Sequence, residues 1–240
     1  MAFPYITSPE NIGQIPFRFL STILARGLSY LPVTPNQVTI FRSILAMISL
    51  YFFSLGGGVN LLRAVSIFYV FEILDHVDGD LARLTGRTSA LGPLLEQFVD
   101  TWASRPSNLF GFCIAFGMFR ETQSLVGFIL FGSTALGRML WLEYRDVFGW
   151  QRKPKSDPKT YTGILAATSP QEGFRNLFEV LYIWNNTFLL IGALLHALLP
   201  NMIYDPLVVG FIVVAVLNNL PWMAITYCGF KEAWVRQTKR

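Results

Sequence analysis

Hydrophobic positions in this chain come in long runs, not in the alternating pattern of a half-buried strand or the one-sided stripe of a soluble helix. A helix needs roughly 20 mostly apolar residues to cross a hydrocarbon layer of roughly 30 Å. Six segments meet that length: Asn36 to Leu55, Leu62 to Leu84, Leu91 to Phe119, Gln123 to Tyr144, Leu177 to Leu199 and Pro206 to Cys228. Turn-forming runs separate them, with Gly56-Gly57-Gly58 after the first, Arg120-Glu121-Thr122 after the third and Pro200-Asn201 after the fifth. Ahead of the first span, Ser8 reads as a helix N-cap with Pro9 at the first helical position. Ile12, Ile15, Phe19 and Ile23 then share one face, with Arg18 and Arg26 nearby, as in an amphipathic helix lying in the headgroup plane. A helix packed on its own domain is the alternative. The pattern predicts an all-α fold: six transmembrane helices plus an N-terminal amphipathic interfacial helix. Residues 1–30 hold the interfacial helix, residues 31–230 the six-helix domain and residues 231–240 a basic tail.

Composition excludes the other broad classes. Of the 240 residues, 52% are hydrophobic and only 14% are charged, against roughly 25% charged in a soluble domain. Neither a disordered chain, a coiled coil nor a soluble globule is built this way. The net charge of +4 does not point to a nucleic-acid partner, because cytoplasmic loops of membrane proteins are normally rich in Lys and Arg. That same bias gives an orientation. Arg145, Arg152, Lys153, Lys155, Lys159 and Arg175 lie between the fourth and fifth spans, and Lys231, Arg236, Lys239 and Arg240 lie in the tail. Both termini and the long loop are expected in the cytoplasm, and an even number of spans, which puts both termini on one side, agrees with this. Cys113 and Cys228 fit no disulfide framework and no metal spacing. The opening MAFPYITSPENIG lacks a basic region followed by an apolar core, so the spans themselves are expected to direct insertion.

The chemistry lies where the second span turns into the third. The cytoplasmic end of the second span reads Glu72-Ile-Leu-Asp75-His-Val-Asp78-Gly79-Asp80-Leu-Ala82-Arg83, and the third opens Gly92-Pro-Leu-Leu-Glu96-Gln-Phe-Val-Asp100. A carboxylate within a bilayer costs at least a few kcal/mol, which makes such acids functional candidates by default. Asp75 and Asp78 share one helical face, as do Glu96 and Asp100. A turn around Arg87 would join the two helices as an antiparallel pair with the acids facing each other. Four carboxylates so placed call for cations, and oxygen-only ligation selects hard divalent ions such as Mg2+, Mn2+ or Ca2+. Paired metals suit phosphoryl or nucleotidyl displacement. Gly79, Ala82 and Gly92 leave the neighbouring helix faces open to a flat base or a diphosphate, and Arg83 offers a forked cation to phosphate oxygens.

The run Asp75-x-x-Asp78-Gly79-x-x-Ala82-Arg83, then eight residues, Gly92, three residues, Glu96, three residues and Asp100, resembles the signature of the CDP-alcohol phosphotransferases. Thr34-Pro35-Asn36, at the start of the first span, is similar to an opening frequent in that family. The resemblance implies a six-helix membrane enzyme, commonly a homodimer, with a cytoplasm-facing cavity. It implies transfer of a phospho-alcohol from a CDP-alcohol donor to a lipid or small-alcohol acceptor, with release of CMP, in phospholipid synthesis among membrane lipids. Two divalent cations, Mg2+ or Mn2+, would be held by Asp75, Asp78, Glu96 and Asp100. Asp100 would be the general base, and Asn36, Asp78, Gly79, Ala82 and Arg83 would hold the nucleotide. Glu96 departs from the family pattern, which has Asp there; it is expected to remain a ligand.

Other polar residues carry weaker signals. Arg105, Arg138 and Arg145 are candidates for a substrate phosphate; the alternative is pairing with an acid for Arg105, and pairing with Glu143 or snorkelling for Arg138 and Arg145. His76 reads as structural, Glu72 as a partner for an arginine on a neighbouring helix, and Asn185, Asn186, Asn218 and Asn219 as interhelical hydrogen-bonders. Two rival functions remain: a divalent-cation transporter with the acids as ion path, and a nucleotide-binding family member without turnover.

Overall fold

A computed structural model describes residue 6, residues 15–147 and residues 185–238. Among the described residues the chain is all helix: α1 (Ile15–Ser29), α2 (Pro35–Leu55), α3 (Gly58–Thr85), α4 (Gly92–Ala103), α5 (Leu109–Thr122), α6 (Val126–Val147), α7 (Asn185–Leu198) and α8 (Pro206–Thr238). Three of these are long and apolar enough to cross a membrane, over Pro35–Leu55, Val126–Glu143 and Pro206–Ala224, with mean hydropathies of 1.8, 1.2 and 2.0. The basic loop from Arg152 to Arg175, the first eight residues of the predicted fifth span, the Ser8-Pro9 helix start and Ile12 lie outside the described residues.

Local chemistry fixes the helix ends. Thr34 caps α2 by accepting from the Gln37 N–H at 3.3 Å, while the Gln37 side chain accepts from the Thr34 N–H at 2.8 Å. This reciprocal box satisfies two otherwise orphaned donors, and Pro35 stands where no donor is needed. α3 stops at Gly86, whose left-handed backbone (φ 66°) turns its N–H onto the Ala82 carbonyl. The predicted third span is two helices. Pro106 disfavours helical backbone at Arg105 and cannot donate, and the chain breaks between Ala103 and Leu109.

The core is an aromatic and aliphatic cluster shared by α2, α3, α4, α5, α7 and α8. Phe68 and Phe110 stack at 4.7 Å, and Phe53 meets Phe110 edge-on at 5.4 Å. α2 crosses α5 at glycines. A Cβ on Gly117 would lie 2.1 Å from the Phe53 carbonyl oxygen, and one on Gly56 2.5 Å from that of Gly117, so the backbones approach closely. α6 meets α8 in the same way at Gly137, and there the Asn219 amide of α8 donates to the Ser133 carbonyl at 3.0 Å. Asn218 instead donates to Val214 of its own helix. Outward faces carry Phe41, Met47, Tyr51, Ile129, Met139, Ile212 and Val216, all exposed, as a protein solvated by lipid requires. α1 follows the same rule. Its Arg18, Ser21, Thr22 and Ala25 are buried, while Phe19, Leu20, Ile23 and Leu24 face outward.

The two acid-bearing helices are not packed as a pair. α3 and α4 make no direct backbone approach; each rests on α2. The physical reason is visible on α2, where a guanidinium stands between the two sets of carboxylates.

Candidate active site

α3 presents Asp75 and Asp78, and α4 presents Glu96 and Asp100. One carboxylate oxygen each from Asp75, Glu96 and Asp100 lies within 4.8 Å of the others. Asp75 and Asp100 are partly buried and Glu96 is exposed, so the cluster opens outward on the α4 side. Asp78 stands deeper and slightly apart. It is buried and accepts from the Thr39 hydroxyl of α2 at 2.8 Å.

Arg42 joins three of the four acids, Asp75, Asp78 and Asp100, into one site, and sequence analysis missed it. Its side chain is fully buried, with the guanidinium 5.4 Å from the centre of the Phe71 ring. It donates to Asp75 through Nη1 and to Asp100 through Nη2 at 3.1 Å, and its Nε lies 3.4 Å from Asp78. One planar group thus touches both acids of α3 and one of α4. The signal was present in the sequence. Thr39, Arg42, Ala46, Ser49 and Phe53 are spaced three or four apart, the buried face of α2.

The nucleotide-side candidates gather at the same end of the bundle. The Asn36 amide donates to the Ser89 hydroxyl at 2.9 Å, and that hydroxyl accepts the Gly92 N–H at 3.0 Å, linking the N-termini of α2 and α4. A Cβ on Gly92 would stand 3.3 Å from Asn36 Oδ1. The Arg83 guanidinium lies across Gly79, where a Cβ would approach Nη2 to 3.1 Å.

Other candidates fall elsewhere. Arg105 is a positive neighbour of Asp100. Arg138 belongs to α6, which packs on α5 and α8 and not on α3 or α4 among the described residues. The Arg145 side chain and that of Asn185 lie outside the described residues. Among the described residues Glu72 forms no close ion pair with an arginine, although Arg42 of α2 is a positive neighbour; its side chain hydrogen-bonds Asn186 of α7. His76 sits 3.9 Å from Asp75 and edge-on to Phe17. At the opposite end of the bundle His196 lies 2.8 Å from Asp205 and 3.4 Å from Glu121, and Glu121 accepts the Gly57 N–H.

The donor set fits hard divalent cations. Four carboxylates face one guanidinium, which leaves a formal surplus of three negative charges in a half-buried site. Asp75, Glu96 and Asp100 offer only oxygens, at spacings that one ion can span.

Three comparisons bear on this geometry. The chain is 36% identical over 91 residues to archaetidylinositol phosphate synthase of Pyrococcus horikoshii, covering 38% of this chain and 46% of that protein. It is 39% identical over 70 residues to the bifunctional IPC transferase and DIPP synthase of Thermococcus kodakarensis, covering 29% of this chain and 15% of that protein. The matched stretches therefore span less than half of either relative. The fold is that of Mycobacterium tuberculosis phosphatidylinositol phosphate synthase, solved with CDP-DAG bound, with a TM-score of 0.58 at 17% identity, covering 86% of this chain and 92% of that one. The family model for CDP-alcohol phosphatidyltransferases matches residues 32–223, a stretch that holds the capped start of α2, all four acids, Arg83 and α5 to α8 up to Met223, so the chain belongs to the CDP-alcohol phosphatidyltransferase family.

Proposed function

We propose that this protein moves a phospho-alcohol group from a CDP-alcohol to an acceptor hydroxyl, releasing CMP. The convergence of Asp75, Glu96 and Asp100 within 4.8 Å, with Asp78 tied to the same cluster through Arg42, carries the reading. The names of the relatives favour a CDP-linked lipid as donor and an inositol phosphate as acceptor.

In this reading Asp75, Asp78, Glu96 and Asp100 hold two divalent cations, Mg2+ or Mn2+. Such ions, when bound, neutralise the diphosphate and the charge that develops as CMP departs. Asp100 accepts the proton of the attacking hydroxyl. As that oxygen bonds to phosphorus, the bond from phosphorus to the CMP oxygen breaks. Arg83 holds the diphosphate; Gly79 and Ala82 leave the helix face open to the nucleotide, and Asn36 offers it a polar side chain. Arg42 fixes the carboxylate orientations, so catalysis is mainly positioning and charge stabilisation. Arg105 is suited to a phosphate on the acceptor because it neighbours Asp100.

The same reading places the protein as a multi-pass membrane protein of six spans. α4 and α5 together form the third, and the interfacial helix precedes the first. Residues 31–230 are the catalytic domain, both termini and the site face the cytoplasm, and two copies assemble as a homodimer. The test is incubation of purified protein with CDP-diacylglycerol or CDP-archaeol and inositol phosphate, reading CMP and the new lipid by mass with Mg2+, with Mn2+ and with EDTA. CMP release that persists in EDTA, or none with any CDP-alcohol and acceptor, overturns the proposal.

A further inference from the structure

Asp80 is the fully buried acid that the four-carboxylate site does not use. It lies on α3 one turn before Arg83 and accepts from Arg83 Nη2 at 2.7 Å through Oδ1. Its other oxygen accepts from the Ser21 hydroxyl of α1 at 3.0 Å, and Arg18 of α1 stands 3.8 Å away. The Ser21 hydroxyl also lies 3.2 Å from the Arg18 carbonyl. It has one proton to give, and the carboxylate is the stronger acceptor.

Arg83 is itself 52% exposed, whereas Asp80 is 0% exposed. An ion pair with a half-exposed arginine adds little stability, while burying the carboxylate is costly. Stability is thus a poor reason for the arrangement. Geometry gives a better one. A free arginine on the last turn of a membrane helix extends toward the headgroups. Here Asp80 folds the guanidinium back along α3 until it rests on Gly79, the residue that follows Asp78. The arginine's rotamer freedom is then lost before any ligand arrives.

We propose that Asp80 is a positioning residue that aims Arg83 at the diphosphate of the nucleotide donor, and that Ser21 and Arg18 hold Asp80 in place. α1 is thereby part of the nucleotide site and not only a surface anchor. The proposal rests on Arg83 binding the diphosphate, as stated under the proposed function.

CDP binding in the presence of Mg2+, measured by calorimetry on the purified full chain, tests both layers separately. Arg83→Ala weakens CDP about 10- to 100-fold, the scale of a lost charge-assisted contact. Asp80→Asn weakens it about 10-fold in the native background. In the Arg83→Ala background Asp80→Asn has no further effect, because its only route to the ligand is gone. Ser21→Ala, a milder change, weakens CDP about 3-fold with the same dependence on Arg83. If Asp80→Asn impairs folding, the cycle with Ser21 decides. Unchanged CDP affinity in Arg83→Ala defeats the nucleotide-site reading itself. A loss in Arg83→Ala, joined by equal Asp80→Asn or Ser21→Ala losses in both backgrounds, overturns the positioning role alone.

Discussion

Arg42 is the residue on which the metal-free site depends, and replacing it with methionine isolates its charge. Methionine is long and apolar and suits the wall of Phe71. It leaves Asp75, Asp78 and Asp100 without the guanidinium that now lies 3.4 Å from Asp78 and 3.1 Å from Asp100. Removing one member of a buried ionic cluster costs about 3–5 kcal/mol, since the remaining charges stay buried and uncompensated. Asp75 and Asp100 keep side-chain exposures of 28% and 36%, and solvent screening places the cost near the lower end, about 3 kcal/mol. At about 2–4 °C per kcal/mol for a chain of this size, Tm falls by about 6–12 °C in EDTA. Mg2+ at about 100 times its Kd returns about 2.7 kcal/mol. Because the ions neutralise the same carboxylates, the variant regains most of its loss and gains more from Mg2+ than the parent does. Arg42→Lys falls between the two, since one ammonium cannot fork to three acids. Thermal unfolding in detergent, followed by tryptophan fluorescence with EDTA or Mg2+, reads all three proteins. A methionine variant that melts within about 2 °C of the parent in EDTA refutes the reasoning; so does an equal Mg2+ response in both.

Further outcomes follow from the same geometry. Glu96→Ala lowers CMP release by roughly 100-fold or more, and Glu96→Asp restores it to within roughly 10-fold, because removing even a supporting partner of a metal ligand costs 10–100-fold; full activity in Glu96→Ala contradicts its role as a ligand. Thr39→Val removes the hydroxyl that Asp78 accepts at 2.8 Å and raises the Mg2+ concentration for half-maximal turnover about 10-fold, with Thr39→Ser close to the parent in the same titration. Gly117→Ala drives a Cβ to 2.1 Å from the Phe53 carbonyl oxygen, forcing α2 and α5 apart at a cost of about 1–3 kcal/mol, readable as a Tm loss that Mg2+ does not restore.

What the sequence made legible and what it hid divide along local and non-local lines. The start of α2 needs only Thr34, Pro35 and Gln37, all within one turn, and its capping box is readable from those letters. The acid spacing is likewise local, since helical periodicity places Asp75 with Asp78 and Glu96 with Asp100 before any packing is known. Pro106 could have been read as a break, but the apolar runs on either side concealed it inside an apparent single span of residues 91–119. Arg42 and Asp80 are a different matter. An arginine a few residues inside a span is ordinarily free to snorkel; the spacing of Thr39, Arg42, Ala46 and Ser49 marks a buried face of α2, but it does not say that acids from two other helices will meet Arg42 there. Asp80 fills an unspecified position of the motif; its pairing with Arg83 is local, but its partner Ser21 lies 59 residues away in α1. Both assignments depend on which helices become neighbours. Once α2 stands between α3 and α4, its guanidinium must be where the carboxylates are, and once α1 rests on α3, the carboxylate at position 80 must find its donors there. The motif specifies the four acids; the two unannounced ionic residues tie three of those acids to α2, and the arginine beside them to α1.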